Sequence, residues 1–396
     1  MGKAILIILD GLGVGDAPDA DAYGDLGSNT LGNMSKKVGG IHVPTLASLG
    51  LGNIAQIENV PPSKNPKALF GRLEEISEGK DSTTGHWELM GVVTQKAFPT
   101  YPDGFPEELI EEFTAKTGYG VLGNKAASGT DIINELGDEH LATGKLIVYT
   151  SADSVFQIAA HEDVIDHHEL YRVCEITREF LKPPHHISRV IARPFKGNSN
   201  AYERTPYRHD YSIDPPGELI LSNLQKHGVK VSSIGKIYDL YNGQGIDETH
   251  TSHNNAEGMA QLEKLYSQPA ENDELILLNL VDFDMLWGHR NDPVGMKNGL
   301  EEFDRWLGKF LPQMQAGDLL MMTADHGNDP TMPGSDHSRE HVPIIAYQAG
   351  VTDKDDSDPG HSNLGIRKGF MDVGASFMDY FNCNTHTKGV SFLLKT

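Results

Sequence analysis

The chain has 396 residues and a mass of 43.4 kDa, with 38% hydrophobic and 22% charged residues. That describes a globular chain larger than one ordinary domain, so two domains are expected and disorder is excluded. The net charge of −23 argues against nucleic acid or an anionic membrane as a partner, and the only two cysteines, Cys174 and Cys383, are too few for a disulfide framework or a thiolate metal site.

In chain order, residues 4–9 form an apolar run of strand length that ends at Asp10. The run is too short to cross a bilayer, and the Asp10-Gly11 that follows is unlike a signal cleavage region. A cytoplasmic protein without secretion or membrane signal is therefore expected. Residues 99–104 and 205–216, rich in proline, look like crossings between domains. Between them lie an amphipathic helical stretch at 106–116 and apolar runs at 146–149, leading to Ser151 and Asp153, and at 190–192, leading to Arg193. Further on, helical stretches are expected at 218–226, 256–266, 300–314 and 370–381. Strands are expected at 229–234 before Lys236, at 275–281 before Asp282 and Asp284, at 319–322 before Asp325, and at 342–347. Strands alternating with helices predict an α/β fold with a mostly parallel central sheet covered by helices. All the candidate metal ligands fall outside the middle of the chain. The expected arrangement is thus a core of residues 1–97 and 214–396, interrupted by a smaller inserted α+β cap at 98–213.

Asp325 and His326 sit side by side after a buried strand, and His337 follows eleven residues later. The ligand-binding edge of an open α/β sheet is its carboxyl edge, and Gly327-Asn328-Asp329-Pro330 supplies the turn that lets both side chains reach one ion. Asp10, Asp284 and His289 stand in similar places. Six mixed oxygen and nitrogen donors suit two divalent ions such as Mn²⁺ or Zn²⁺, and an ion pair of that kind clamps a transferring phosphoryl group. Against this, an Asp after a strand is also an ordinary turn or cap residue. The pairs His167-His168 and His185-His186 lack a carboxylate at a strand end and are expected to be decoys.

The stretch Asp81-Ser82-Thr83-Thr84-Gly85-His86 places three hydroxyls where a helix begins, a position with free amide donors that suits a covalent phosphoryl group. The residues alone do not choose among Ser82, Thr83 and Thr84, and the cluster also reads as a plain helix cap. The Asp153 carboxylate can accept sugar hydroxyls, and Arg189, Arg204 and Lys236 can pair with a substrate phosphate, although each also reads as a surface charge.

The segments LDGLGVGDAPDA from Leu9, GKDSTTGHWE from Gly79, IVYTSADS from Ile147 with QIAAHE, RVIARPF from Arg189, RTPYRHDY from Arg204, NLVDFDMLWGH from Asn279, TADHGNDP from Thr323 and GSDHSREHVP from Gly334 together resemble the phosphopentomutase family of the alkaline phosphatase superfamily, over close to the whole chain. The DxxxxH, ADHGND and DH segments are common to related metal-dependent phosphatases and mutases, whereas GHWE and RHDY narrow the likeness. The resemblance implies an alkaline-phosphatase-like core with a cap over the active site. It implies two Mn²⁺ ions, for which other divalent ions can substitute. Asp10, Asp325, His326 and the Ser82 hydroxyl would hold one ion, and Asp284, His289 and His337 the other. Ser82 falls on the phosphorylated residue, where many members carry Thr. Asp153, Arg189, Arg204 and Lys236 fall on ribose and phosphate contacts. The implied substrates are small pentose phosphates, with a sugar bisphosphate as the activator that can prime Ser82. The number of subunits is left open. The rival readings are another two-metal phosphatase, a phosphodiesterase or a cofactor-independent phosphoglycerate mutase, and a metal-binding protein without catalysis. Those mutases are longer and lack GHWE and RHDY.

Overall fold

The computed structural model describes residues 2–151, 153–199, 201–351, 362–383 and 387–393. The chain divides into two compact units, one made of Met1–Lys96 with Pro215–Thr396 and the other of Ala97–Asp214.

The first unit is built on an eight-stranded sheet. Its strands run across the sheet in the order Glu248–His250, Lys230–Ile234, Glu274–Leu280, Lys3–Leu9, Leu319–Thr323, Val342–Gln348, Leu69–Glu74 and Asn363–Lys368. The first five are mutually parallel. In the central strand Ala4 to Leu9 are all buried. Successive side chains point to opposite faces, so a continuous apolar run is stable only where both faces are covered. Helix Asn255–Tyr266 packs on the strands Glu274–Leu280 and Lys230–Ile234.

Two features depart from the expected alternation. Val342–Gln348 runs antiparallel to both Leu319–Thr323 and Leu69–Glu74. A parallel partner needs a long crossover, but the chain returns from Thr323 to Val342 through a loop that itself carries site residues. The helix expected at 300–314 starts seven residues earlier, as Pro293–Phe310. Asp292 caps it by accepting from Gly295 N at 2.8 Å, and Pro293 occupies the first turn, where its missing N–H costs nothing.

The second unit has its own sheet, ordered Val121–Ala126, Leu146–Thr150, Val155–His161, Arg189–Lys196 and Glu203–Arg204, with His209–Ser212 also paired to Arg189–Lys196. Alternation along Leu146–Thr150 divides its core. Leu146 and Val148 join Phe113, Phe156, Leu170 and Val173, whereas Ile147 and Tyr149 join Ile132, Ile133, Phe195 and Tyr202. Helices Glu107–Thr117 and His167–Phe180 therefore cover one face, and Gly129–Thr143 lies on the other. Among the described residues, no helix is long and apolar enough to cross a membrane.

Candidate metal centre

Four adjacent parallel strands of the first unit end on one edge. Leu9 pairs with Leu280, Ile8 with Thr323, and Leu278 with Ile234. The residues that follow each strand, Asp10, Asp284, Asp325 with His326, and Lys236, are delivered to that edge by register alone. Ligand atoms of Asp10, Asp325 and His326 lie within 4.8 Å of one another, as do those of Asp284, His326 and His337. His289 joins the second group, with its Nε2 3.3 Å from Asp284 Oδ2 and 3.2 Å from His337 Nε2. The structure thus brings all six expected side chains together, with one difference from the expected partition: His326 is within reach of both groups.

Local structure explains the spacing of Asp284 and His289. Residues Phe283–Gly288 form a turn of π-helix, in which His289 N donates to Asp284 O at 3.0 Å. The wider i→i+5 turn stacks residues five apart, which an ordinary α-turn does not. The imidazoles are oriented from behind. His289 Nδ1 is 2.6 Å from Ser335 O and His326 Nδ1 is 3.0 Å from Gly327 O, so that Nδ1–H donates to a carbonyl and each Nε2 lone pair faces the cluster.

These residues fit divalent cations. Asp10 Oδ1 is buried without a hydrogen-bond donor, in a residue with no solvent exposure. Buried anionic oxygens are tolerated only when a counter-charge meets them, and three carboxylates face one lysine here. Burial raises the Asp10 carboxyl well above its usual range, with the neighbouring Asp325 charge adding to it. For Asp284 burial pulls in the same upward direction, but the positive charge that His289 and His337 carry when protonated outweighs it and holds that carboxyl low. Burial pulls His326 down to about 4, which keeps the ring neutral and ready to donate a lone pair.

The three hydroxyls are separated by the helix they begin. Ser82–Leu89 is helical, and Asp81 caps it by accepting from Thr83 N at 3.0 Å and Thr84 N at 3.2 Å. The Thr84 hydroxyl is spent on Asp81 Oδ2 at 2.7 Å. The Ser82 hydroxyl faces the cluster, 3.1 Å from His326 Nε2 and 2.9 Å from Lys236 Nζ. Gly85 permits this approach, since a methyl there would stand 1.9 Å from the Asp325 carbonyl oxygen. The rest of the GHWE segment anchors the helix. Trp87 Nε1 donates to Leu240 O at 2.9 Å, the Tyr241 hydroxyl donates to His86 O at 2.6 Å, and buried Glu88 accepts from Ser77 N and Phe370 N. The first two bonds tie the Ser82 helix to the short helix Ile237–Leu240 that begins just after Lys236.

Asp153, Arg189 and Arg204 lie in the second unit. Arg189 pairs there with Asp153 at 3.2 Å and with Asp210 at 3.6 Å, while Arg204 lies on the short strand Glu203–Arg204. Lys236 belongs to the first unit and stands 2.6 Å from Asp10 Oδ2. Of the two histidine pairs, His167 stacks on Tyr207 at 4.3 Å and His185 bonds to the Tyr101 hydroxyl; among the described residues neither pair belongs to a metal-ligating group. Sequence reasoning missed the supporting residues. His86 Nδ1 is 3.1 Å from Asp325 Oδ2, buried Arg339 bonds to Asp19, Glu75 and Gly79 O, and buried Glu340 gathers four donors. The only available signal was their position within GHWE and SREH, which says nothing of partners hundreds of residues away.

Residues 2–385 match the model of the Metalloenzyme superfamily, and the chain belongs to that superfamily. The chain is 49% identical to a phosphopentomutase of Clostridium novyi (strain NT), over 99% of this chain and 98% of that protein. It is 50% identical to a phosphopentomutase of Dictyoglomus turgidum (strain DSM 6724 / Z-1310), again over 99% and 98%. The chain belongs to the phosphopentomutase family of enzymes. Among solved structures, the PH0037 protein from Pyrococcus horikoshii has the same fold, with a TM-score of 0.50 and 18% identity over 98% of this chain and 99% of that one.

Proposed function

We propose that this enzyme interconverts α-D-ribose 1-phosphate and D-ribose 5-phosphate, and the 2-deoxyribose forms, through phosphorylated Ser82. The observation that carries the reading is the Ser82 hydroxyl, set between His326 Nε2 and Lys236 Nζ at the edge of two carboxylate–imidazole groups. The family membership narrows the substrate to a pentose phosphate.

Asp10, Asp325 and His326 with the Ser82 hydroxyl would hold one divalent ion, and Asp284, His289 and His337 the other, with Mn²⁺ as the expected metal. Bound there, the ions supply charge neutralisation for a transferring phosphoryl group. The sugar hydroxyl attacks the phosphorus of phosphorylated Ser82, a new P–O bond to the sugar forms, and the bond to Ser82 Oγ breaks. The product is a ribose 1,5-bisphosphate, and the proton lost by the sugar hydroxyl returns to Ser82 Oγ. In the reverse sense Ser82 Oγ then attacks the other phosphoryl group and leaves the isomeric monophosphate. Lys236 donates a hydrogen bond to Ser82 Oγ, which stabilises negative charge there when the phosphoryl group departs. A sugar bisphosphate would prime the resting enzyme.

Asp153, Arg189 and Arg204 would supply a hydroxyl acceptor and phosphate donors from within the second unit. The surroundings of such an enzyme would be the cytoplasm. Ser82→Ala tests the assignment. With Mn²⁺ and radiolabelled pentose bisphosphate it is expected to lose both isomerisation and label transfer to protein. Turnover by that variant would overturn the nucleophile, and hydrolysis without isomerisation by the wild type would favour a phosphatase.

A further inference from the structure

We propose that Asn328 positions the Asp284 carboxylate for its ion, as the last link of a buried hydrogen-bond chain that starts in the loop after the first strand. The inference rests on the reading of Asp284 as a metal ligand and goes one layer further out. The Asn328 amide donates from Nδ2 to Asp284 Oδ1 at 2.7 Å, and both residues are buried. The terminal torsion of an aspartate is broad and roughly two-fold, so an unsupported carboxylate spreads its oxygens over a range of directions. A donor on one lone pair of Oδ1 narrows that range. Oδ2 is then directed beside His289 Nε2, at 3.3 Å, and Oδ1 remains 3.4 Å from His337 Nε2.

Asn328 is itself held from two sides. Its backbone N–H donates to Thr30 Oγ1 at 3.1 Å, and that hydroxyl donates to Glu340 Oε1 at 2.8 Å. Glu340 also accepts from Thr30 N at 2.9 Å, Gly15 N at 3.1 Å and the Ser338 hydroxyl at 2.7 Å. Ser338 follows His337, so one carboxylate joins the loop after the first strand to the loop that carries a ligand. On the other side, Gly288 lies against the amide. A methyl on Gly288 would stand 2.5 Å from Asn328 Cγ and 2.6 Å from Nδ2. Gly288 immediately precedes His289, so the amide touches the backbone that delivers one ligand while it bonds to another.

Partners that orient a ligand from behind are worth about 10–100-fold in metal affinity. The test is Mn²⁺ titration of metal-free protein, followed by the paramagnetic signal of free Mn²⁺, with metal-free melting temperature as the structural readout. Wild type is expected to bind two ions and Asp284→Ala to lose one of them. Asn328→Ala is expected to keep both, with one dissociation constant raised about 10–100-fold and the metal-free melting temperature close to that of wild type. Asn328→Leu fills nearly the same space without a donor and gives the same readout should the Ala variant fail to fold. Unchanged binding of both ions in the Asn328 variants would overturn the inference. Equal weakening of both ions with a lowered metal-free melting temperature would also overturn it, since Asn328 would then be packing alone. Two ions retained in Asp284→Ala would instead remove the metal assignment on which the inference stands.

Discussion

The Lys236 ammonium nitrogen lies 2.9 Å from the Ser82 hydroxyl oxygen and 2.6 Å from Asp10 Oδ2. Burial alone pulls the pKa of this lysine down, but the carboxylates of Asp10, Asp325 and Asp284 outweigh it, and the net shift is upward. The group therefore stays charged at neutral pH, a fixed donor at the oxygen that would carry charge in the proposed phosphoryl transfer. Lys236→Met is expected to lower kcat by about 10²–10³, the usual cost of losing one such donor, while Lys236→Arg retains part of the rate. Steady-state rates at saturating Mn²⁺ measure this, and a kcat within threefold of wild type, on the order of the scatter of such measurements, would refute it.

Asp81 holds the first turn of the Ser82 helix through two backbone amides and the Thr84 hydroxyl. Asp81→Ala is expected to cost about 1 kcal/mol of stability, the ordinary value of a helix cap. The Ser82 hydroxyl keeps its own neighbours, so phosphorylation of the protein should persist. Urea unfolding and a label-transfer assay on the same preparation separate these two effects.

In most helix interiors a Gly-to-Ala change stabilises by about 1 kcal/mol. Gly85→Ala should do the reverse, because the new methyl meets the Asp325 carbonyl oxygen at 1.9 Å and the helix must move away. Misplacement by about 1 Å can cost on the order of 100-fold in rate. Both a lower melting temperature and a loss of turnover of that size are expected. A more stable, fully active Gly85→Ala protein would contradict the packing described.

Burial holds His326 at about 4, below the value of about 6.5 for an exposed imidazole. The folded state thus binds this proton less readily than the unfolded chain does. The neutral ring's contribution is complete above about pH 6.5 and is lost as pH falls toward about 4. Unfolding free energy of the metal-free protein should decline over that window, and His326→Gln should flatten the decline. Urea titrations at three or four pH values between these limits are decisive, and identical slopes for both proteins would refute the shift.

Much of the core fold was legible because apolar runs report burial directly. Ala4 to Leu9 and Leu319 to Met322 read as strands from composition alone, and the polar groups after them mark the edge where the site lies. The strand Leu69–Glu74 and the helix His167–Phe180 escaped notice, the first because Gly71 and Arg72 interrupt its apolar run and the second because charged residues dilute its stripe.

The amino-acid sequence by itself determined which side chains are available to the site, and in what local setting. Asp10, Asp284 and Asp325 each follow a strand, and Asp81 precedes three hydroxyls where a helix begins. Tertiary structure alone decided that Ser82 and not Thr84 faces the cluster, that His326 reaches both groups, and that Asn328 touches Asp284. The physical reason is range. Periodicity and capping are properties of a few neighbouring residues, whereas Ser82 and His326, or Thr30 and Asn328, meet only through the packing of segments far apart in the chain.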